Sequence, residues 1–318
     1  MNSELATRVA RVHRLTMCVA GVMLVLALVV VYSFSPDFSE TVGEFLSSLV
    51  DQKGIDVKRQ IGYVMPEDVR RTGDLYSSTT STGVRPAVVI VHGGSWWQGT
   101  KHDFAEVGIA RYFARKGYVA FSIDYRLLPT AGEFPADIVD VKDAVCFLAA
   151  NAQRFAIDPG RVFILGTSSG ASAALVAAYT SRTGDFLPST GKSCPVAAVA
   201  SISGPTDFEK VSANPYVQEY LHCKGKAPPV ESLRKASPLS YLSSAVPTIL
   251  MHGTEDHNVP IAQALELERR LKEQRVPVSL VKVEGQSHFI GASSRRQCLD
   301  FALRFFSQIH GYDHLSGE

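Results

Sequence analysis

A serine hydroxyl becomes a good nucleophile only when it is held exposed beside a base. One stretch of this 318-residue chain offers that setting. Gly166-Thr-Ser-Ser-Gly170 follows the apolar run Val162 to Leu165 and precedes a helical pattern beginning at Ala171. Strand, tight turn and helix are the context in which a Gly-x-Ser-x-Gly pentapeptide presents its central serine. Glycines flank it because a side chain at either position would strike the neighbouring strand. Ser168 would stand at a helix N-terminus, whose dipole favours developing negative charge. The chemistry implied is acyl transfer through a covalent serine intermediate.

Such a serine needs a histidine, and nine are available. His13 precedes the first apolar run, His310 and His314 lie in the tail, and His102 and His222 sit in loop-like sequence. His288, in Gly285-Gln-Ser-His-Phe289, falls just beyond the last strand pattern. An acid is expected between Ser168 and His288, at another strand end. Asp256, in the loop after the run ending at Met251, would hold the imidazole in the right tautomer, with Glu255 and Asp207 as alternatives. His252, Asp256 and His257 could also be read as a metal site. No further ligand cluster has compatible spacing, so neither a metal nor a cofactor is expected.

The oxyanion of a tetrahedral intermediate needs backbone donors. Ser169, directly after the nucleophile, supplies one N–H. Gly93, Gly94 and Ser95, in His92-Gly-Gly-Ser-Trp96, are the candidates for the others. His92 is expected to anchor that loop rather than to transfer protons. Trp96 and Trp97 either line an aromatic pocket or pack against the core.

These residues must be positioned by regular elements. Ala87–Val91, Tyr118–Tyr125, Val162–Leu165, Val196–Ile202, Thr248–Met251 and Val278–Val283 read as buried strands. Helical patterns over Phe104–Lys116, Ala136–Arg154, Ala171–Ser181, Ala262–Gln274 and Arg295–Ile309 separate or follow them. The alternation predicts an α/β fold with a doubly wound, mostly parallel sheet. Ligands then bind beyond the carboxyl ends of the strands, where Ser168, Asp256, His288 and the Gly93-Gly94-Ser95 loop fall.

At this point the chain resembles the hormone-sensitive-lipase-like and carbohydrate-esterase-like branches of the α/β-hydrolase superfamily. The resemblance rests on Asp74-Leu-Tyr76, His92-Gly-Gly-Ser-Trp96 with Gly99 and Lys101, Asp124-Tyr-Arg-Leu127 and Phe134-Pro135. It continues through Asp158-Pro-Gly-Arg-Val162, Gly166-Thr-Ser-Ser-Gly170, Ser237-Pro238, His252-Gly253 with Asp256, and His288-Phe289. It implies Ser168, Asp256 and His288 as a triad, with Gly94 and its neighbours as the oxyanion hole. Two positions depart from the family pattern. Ser95 stands where a third glycine is usual, and Ser169 where alanine commonly follows the nucleophile. The His-Gly-Gly-x-Trp form also occurs in arylformamidases, and membrane-bound relatives include isoprenylcysteine methylesterases.

A net charge of +1 gives no footprint for a nucleic-acid partner. Leu15 to Phe34 is free of charge, long enough as a helix to span about 30 Å of hydrocarbon. Residues 1–14 carry Arg8, Arg11 and Arg14, whereas Asp37, Glu40 and Glu44 follow the run. Lys/Arg excess marks the cytoplasmic side. We therefore expect an uncleaved anchor over residues 15–34 and an extracytoplasmic catalytic domain, the alternative being secretion after signal cleavage. Residues 35–59 read as an amphipathic linker with Phe38, Val42, Phe45, Leu46 and Leu49 at helical spacing. The catalytic domain spans 60–312, with a small lid about 207–244, and 313–318 form a tail. Cys146 reads as plain core, while Cys194 and Cys223 are either bridged or free.

The expected function is a membrane-anchored serine hydrolase cleaving small-molecule or lipid carboxylic esters. The alternatives are an amidase, arylformamidase or peptidase on the same triad, or a non-catalytic binding module. No oligomeric state is legible.

Overall fold

A computed structural model describes residues 53–309. The expected anchor over 15–34, the helical pattern within 35–59 and the tail 313–318 lie wholly or almost wholly outside those residues. Among the described residues, no helix is long and apolar enough to cross a membrane.

Eight strands form one sheet: β1 (Ile55–Gly62), β2 (Thr72–Ser78), β3 (Arg85–Val91), β4 (Val119–Ile123), β5 (Ile157–Thr167), β6 (Ala198–Ile202), β7 (Thr248–Gly253) and β8 (Val278–Val283). Their order is β1-β2-β4-β3-β5-β6-β7-β8. β2 pairs antiparallel with both β1 and β4, and every pairing from β4 onward is parallel. The doubly wound, mostly parallel sheet expected from the alternation is present. Strands β1 and β2 were not legible in it. β1 begins at Ile55, inside the segment read as linker; it was missed because its half-buried residues are interspersed with exposed polar ones and it lacks the continuous apolar run that marks the inner strands.

The inner strands are apolar on both faces because helices cover both. Ala87, Val89 and Val91 of β3 face one core cluster, and Val88 and Ile90 face the other. The first cluster lies under α2 (Ala136–Ala150), α4 (Ser169–Tyr179) and α7 (Ala262–Glu273), the second under α1 (Phe104–Arg115) and α8 (Ala292–Gln308). Each fully buried valine or isoleucine contributes about 1.5–3 kcal/mol. Helix α4 is buried along its whole length and is rich in alanine, which lets it pack closely against the sheet.

The long helix expected from Ala136 to Arg154 breaks at Asn151, whose side-chain amide donates to the Phe147 carbonyl (2.9 Å). A short α3 (Ala152–Phe155) follows. Between β6 and β7 lie two 3₁₀ segments, Phe208–Val211 and Pro238–Ser244, with α5 (Pro215–Tyr220) and α6 (Val230–Ala236) between them. The first 3₁₀ segment, α5 and α6 share a third apolar cluster with Trp96, whereas Leu239, Tyr241 and Leu242 of the second 3₁₀ segment pack into the first core cluster.

The cysteine reading needs correction. Cys146 is not plain core: it is bonded to Cys194, with Cα atoms 5.2 Å apart. The bond ties α2 to the segment leading into β6. Cys146 sits where α2 meets that segment, close enough for its sulfur to contact the Lys192 carbonyl at 3.5 Å. Cys223, considered as the partner of Cys194, is free and packs instead at the edge of the third cluster.

Candidate active site

The carboxyl ends of β3, β5, β7 and β8 converge on one cavity of about 900 Å³, and Ser168 and His288 both line it. β5 ends at Thr167 and α4 starts at Ser169, leaving Ser168 alone to turn the chain. Its φ of 51° and ψ of −120° are costly for a residue with a side chain, by about 1–3 kcal/mol. The turn is held by the Ser168 N–H donating to the Ile202 carbonyl (2.8 Å).

The flanking glycines are required, though only one for the expected reason. A Cβ at Gly170 would run into the His92 carbonyl at the end of β3, the neighbouring strand. At Gly166 it would meet the backbone of Gly170 and Ala171, at the start of the helix itself.

Ser168 Oγ lies 2.9 Å from His288 Nε2, and His288 Nδ1 lies 2.8 Å from Asp256 Oδ2. With a carboxylate against Nδ1, that nitrogen carries the proton and Nε2 is left to accept from the serine hydroxyl. Asp256 is buried and held from both sides. Its Oδ1 accepts from the N–H groups of Asn258 (2.9 Å) and Val259 (2.8 Å). Its Oδ2 is also 3.1 Å from His252 Nε2, which lies 2.7 Å from the Val259 carbonyl. Both neighbours of that nitrogen are acceptors, so His252 Nε2 donates. Burial alone would raise the Asp256 pKa. The hydrogen bonds from His252, His288 and Val259 outweigh it and hold the carboxyl well below the usual carboxylate range.

His252 was considered only as a metal ligand in the sequence. Its place at i−4 to the acid, at a strand end, was the available signal for the supporting role seen here. No cluster suited to a metal ion occurs among the described residues. Of the alternative acids, Glu255 is exposed, and Asp207 caps the 3₁₀ turn at Phe208 by accepting from the Glu209 N–H.

The loop after β3 passes through the left-handed region at three successive residues: Gly94 (φ 117°), Ser95 (φ 55°) and Trp96 (φ 62°). The Gly94 carbonyl accepts from the N–H groups of Trp97 (3.0 Å) and Gln98 (3.1 Å), and a Cβ on Gly94 would collide with the Gln98 carbonyl. Among the described residues, no hydrogen-bond acceptor meets the N–H groups of Gly94, Ser95 or Ser169. Gly93 packs so closely that a Cβ there would sit 3.1 Å from Ser168 Cβ. His92 is buried, its Nδ1 bonded to the Gly93 carbonyl (2.7 Å) and its ring stacked on Tyr125 at 4.4 Å. Burial lowers its pKa, which keeps the ring neutral and suits an anchor.

Two buried acids near the site carried no sequence signal. Glu106, on α1, lines the cavity and accepts from Thr167 Oγ1 (3.0 Å). Burial pushes its carboxyl up to about 7. Asp137, in the first turn of α2, accepts from Trp96 Nε1 (3.1 Å) and from the Tyr220 hydroxyl (2.8 Å). Trp96 both lines the cavity and packs, so the two readings of that residue are not exclusive.

Residues 74–271 match the BD-FAE family. A probable isoprenylcysteine α-carbonyl methylesterase from Oryza sativa subsp. japonica is 29% identical over 247 residues, covering 71% of this chain and 56% of the relative. The esterase LipC from Mycobacterium tuberculosis is 28% identical over 240 residues, covering 71% and 59%. The chain thus spans somewhat over half the length of these curated relatives. Among solved structures, a truncated carbohydrate esterase from gut microbiota superposes with a TM-score of 0.69 at 22% identity, over 79% of this chain and 96% of that one. Esterase B from Lactobacillus rhamnosis gives a TM-score of 0.70 at 18% identity, over 88% and 95%. At such identities the superpositions speak for the fold, which is that of the α/β-hydrolases. With the family match covering well over half of its residues, the chain belongs to the BD-FAE family.

Proposed function

We propose that this protein is a serine hydrolase that cleaves carboxylic esters through an acyl-enzyme intermediate. The observation that carries the reading is the continuous line from Ser168 Oγ through His288 to Asp256, at 2.9 and 2.8 Å. Ser168 Oγ attacks the ester carbonyl carbon while its proton passes to His288 Nε2. The carbonyl oxygen becomes an oxyanion and takes hydrogen bonds from the N–H groups of Gly94, Ser95 and Ser169. Asp256 keeps the proton on Nδ1 and stabilises the imidazolium. His288 then protonates the leaving alcohol, leaving an ester on Ser168. Water, deprotonated by the same histidine, releases the acid. The methylesterase and esterase names of the relatives support ester over amide substrates.

We place the catalytic domain outside the cytosol, anchored by residues 15–34. The Arg8, Arg11 and Arg14 side chains before the apolar run support this orientation. The Cys146–Cys194 bond fits an oxidising compartment.

A fluorophosphonate probe tests the chemistry. It should label the wild type and neither Ser168→Ala nor His288→Ala, and persistent labelling of Ser168→Ala would refute the assignment. p-Nitrophenyl esters of increasing chain length, run beside an aryl amide, separate esterase from amidase. Digestion of the domain by protease added to the cytoplasmic face of intact membranes would overturn the topology.

A further inference from the structure

The oxyanion loop is strained, and something must hold it. Ser95 and Trp96 both adopt positive φ without being glycine, at a cost of roughly 1–2 kcal/mol each. The Ser95 N–H is one of the proposed donors, so any relaxation of these two residues moves it. The backbone supplies three restraints: the Gly94 carbonyl accepts from the Trp97 and Gln98 N–H groups (3.0 and 3.1 Å), and the Trp96 carbonyl accepts from the Leu128 N–H (2.8 Å). The remaining restraints act through the Trp96 side chain.

That indole is buried, stacked on Tyr220 with ring centres 4.3 Å apart and planes 15° from parallel. Its Nε1 donates to Asp137 Oδ2 (3.1 Å). The Tyr220 hydroxyl reaches both oxygens of the same carboxylate, at 2.8 and 2.9 Å. Asp137 is fully buried, so an acid here has been taken out of water at considerable cost. Besides the Ile138 backbone N–H, two side chains donate to it, one from the oxyanion loop and one from α5 of the segment between β6 and β7. Tyr220 is tied down in turn, its carbonyl accepting from the Phe134 N–H (2.9 Å) just before α2. Val217, one turn earlier on α5, lines the cavity together with Trp96.

We infer that Asp137 is a positioning residue. It clamps Trp96 and Tyr220 together and thereby holds the Ser95 and Gly94 N–H groups where the oxyanion forms. It touches no substrate. This inference rests on the ester-hydrolase reading above, and it makes α5 part of the machinery rather than a passive cover. Substrate seated against α5 is then in mechanical contact with the donor loop.

The test is a set of side-chain replacements in the full chain, assayed with p-nitrophenyl acetate and a trifluoromethyl ketone. The ketone adds to Ser168 and carries a tetrahedral oxyanion, so its affinity reports donor placement. Asp137→Leu removes both acceptors, and kcat should fall about 10- to 100-fold, the scale of a misplaced catalytic group. KM should change less than about 3-fold, and the ketone Ki should rise by the factor by which kcat/KM falls. Asp137→Asn should restore activity to within about 3-fold, because its carbonyl accepts from Trp96 while its amide donates to the Tyr220 hydroxyl. Tyr220→Phe keeps the stacking and deletes one hydroxyl, which secures the test should Asp137→Leu fail to fold. It should lower kcat and raise Ki together, by several-fold. Thermal midpoints that fall while kcat and Ki stay at wild-type values would overturn the inference and leave Asp137 a purely structural acid. A wild type that neither hydrolyses the ester nor binds the ketone would instead refute the hydrolase reading itself.

Discussion

Glu106 sits where a carboxylate is expensive, and its replacement by glutamine isolates that expense. The side chain is buried, in the first turn of α1, with Thr167 Oγ1 donating to it at 3.0 Å. Burial moves its pKa from an ordinary 4.5 to about 7, offset in part by the hydrogen bond from Thr167. A carboxyl raised in the folded state holds its proton more tightly there than in the unfolded chain. Below pH 4.5 both states are protonated and the group costs nothing. Above pH 7 both are ionised and the full desolvation penalty is present. Stability therefore falls as pH rises through this window, by about 3 kcal/mol for a displacement of this size. Glu106→Gln has the same shape, still accepts from Thr167, and carries no charge. Urea unfolding followed by the fluorescence of Trp96 and Trp97 should show variant and wild type nearly equal at pH 4.5. By pH 8 the variant should be more stable by about 3 kcal/mol. A difference that is flat with pH, or a variant less stable at pH 8, would refute the reasoning and place the ionised carboxyl in a favourable environment.

Three further outcomes follow from other parts of the structure. Asp256→Asn should lower kcat on the order of 10⁴-fold, because the amide no longer enforces the Nδ1–H tautomer. It should also lower the thermal midpoint, since donors crowd both carboxylate oxygens and the amide NH₂ must face one set of them. Gly93→Ala places a methyl 3.1 Å from both Ser168 Cβ and the Thr167 carbonyl, so kcat should fall at least about 10-fold with little change in stability. Replacing Cys146 and Cys194 by serine opens a covalent loop with a sequence separation of 48 and should cost about 4 kcal/mol, read as a lower urea midpoint, with the rate on a short ester retained.

The convergence of Ser168, Asp256 and His288 was legible because each follows an apolar run, and apolar runs are what mark the central strands of a sheet covered on both sides. Where burial is one-sided, the signal fails. β1 alternates polar and half-buried residues at a sheet edge, and nothing in Ile55 to Gly62 announced a strand. The supporting groups were hidden for a different reason. Asp137 and Glu106 lie on helices whose patterns were read for their apolar faces, and a buried acid on such a face looks like a solvated one until its partners are known. Tyr220 lies 83 residues from the aspartate it contacts, so no local spacing could have joined them. Cysteine pairing failed likewise: Cys146 was assigned from its apolar neighbours in sequence, while the partner came from a loop packed across α2.

The packing of Gly170 against the His92 carbonyl has a consequence for how such a protein can change over evolutionary time. The serine turn and the donor loop are fitted backbone to backbone, with no side chain between them to absorb a shift. An insertion or a bulkier residue in either would displace the other, so these two segments must vary together or hardly at all. New specificities have to be explored elsewhere, in segments whose backbone does not bear on the turn. Residues 208–236 are such a segment: joined to the frame at both ends, contributing Val211, Tyr216 and Val217 to the cavity wall, and open to being lengthened or rewritten. The constraint they carry toward the donor loop is a tyrosine that must keep its hydroxyl on Asp137.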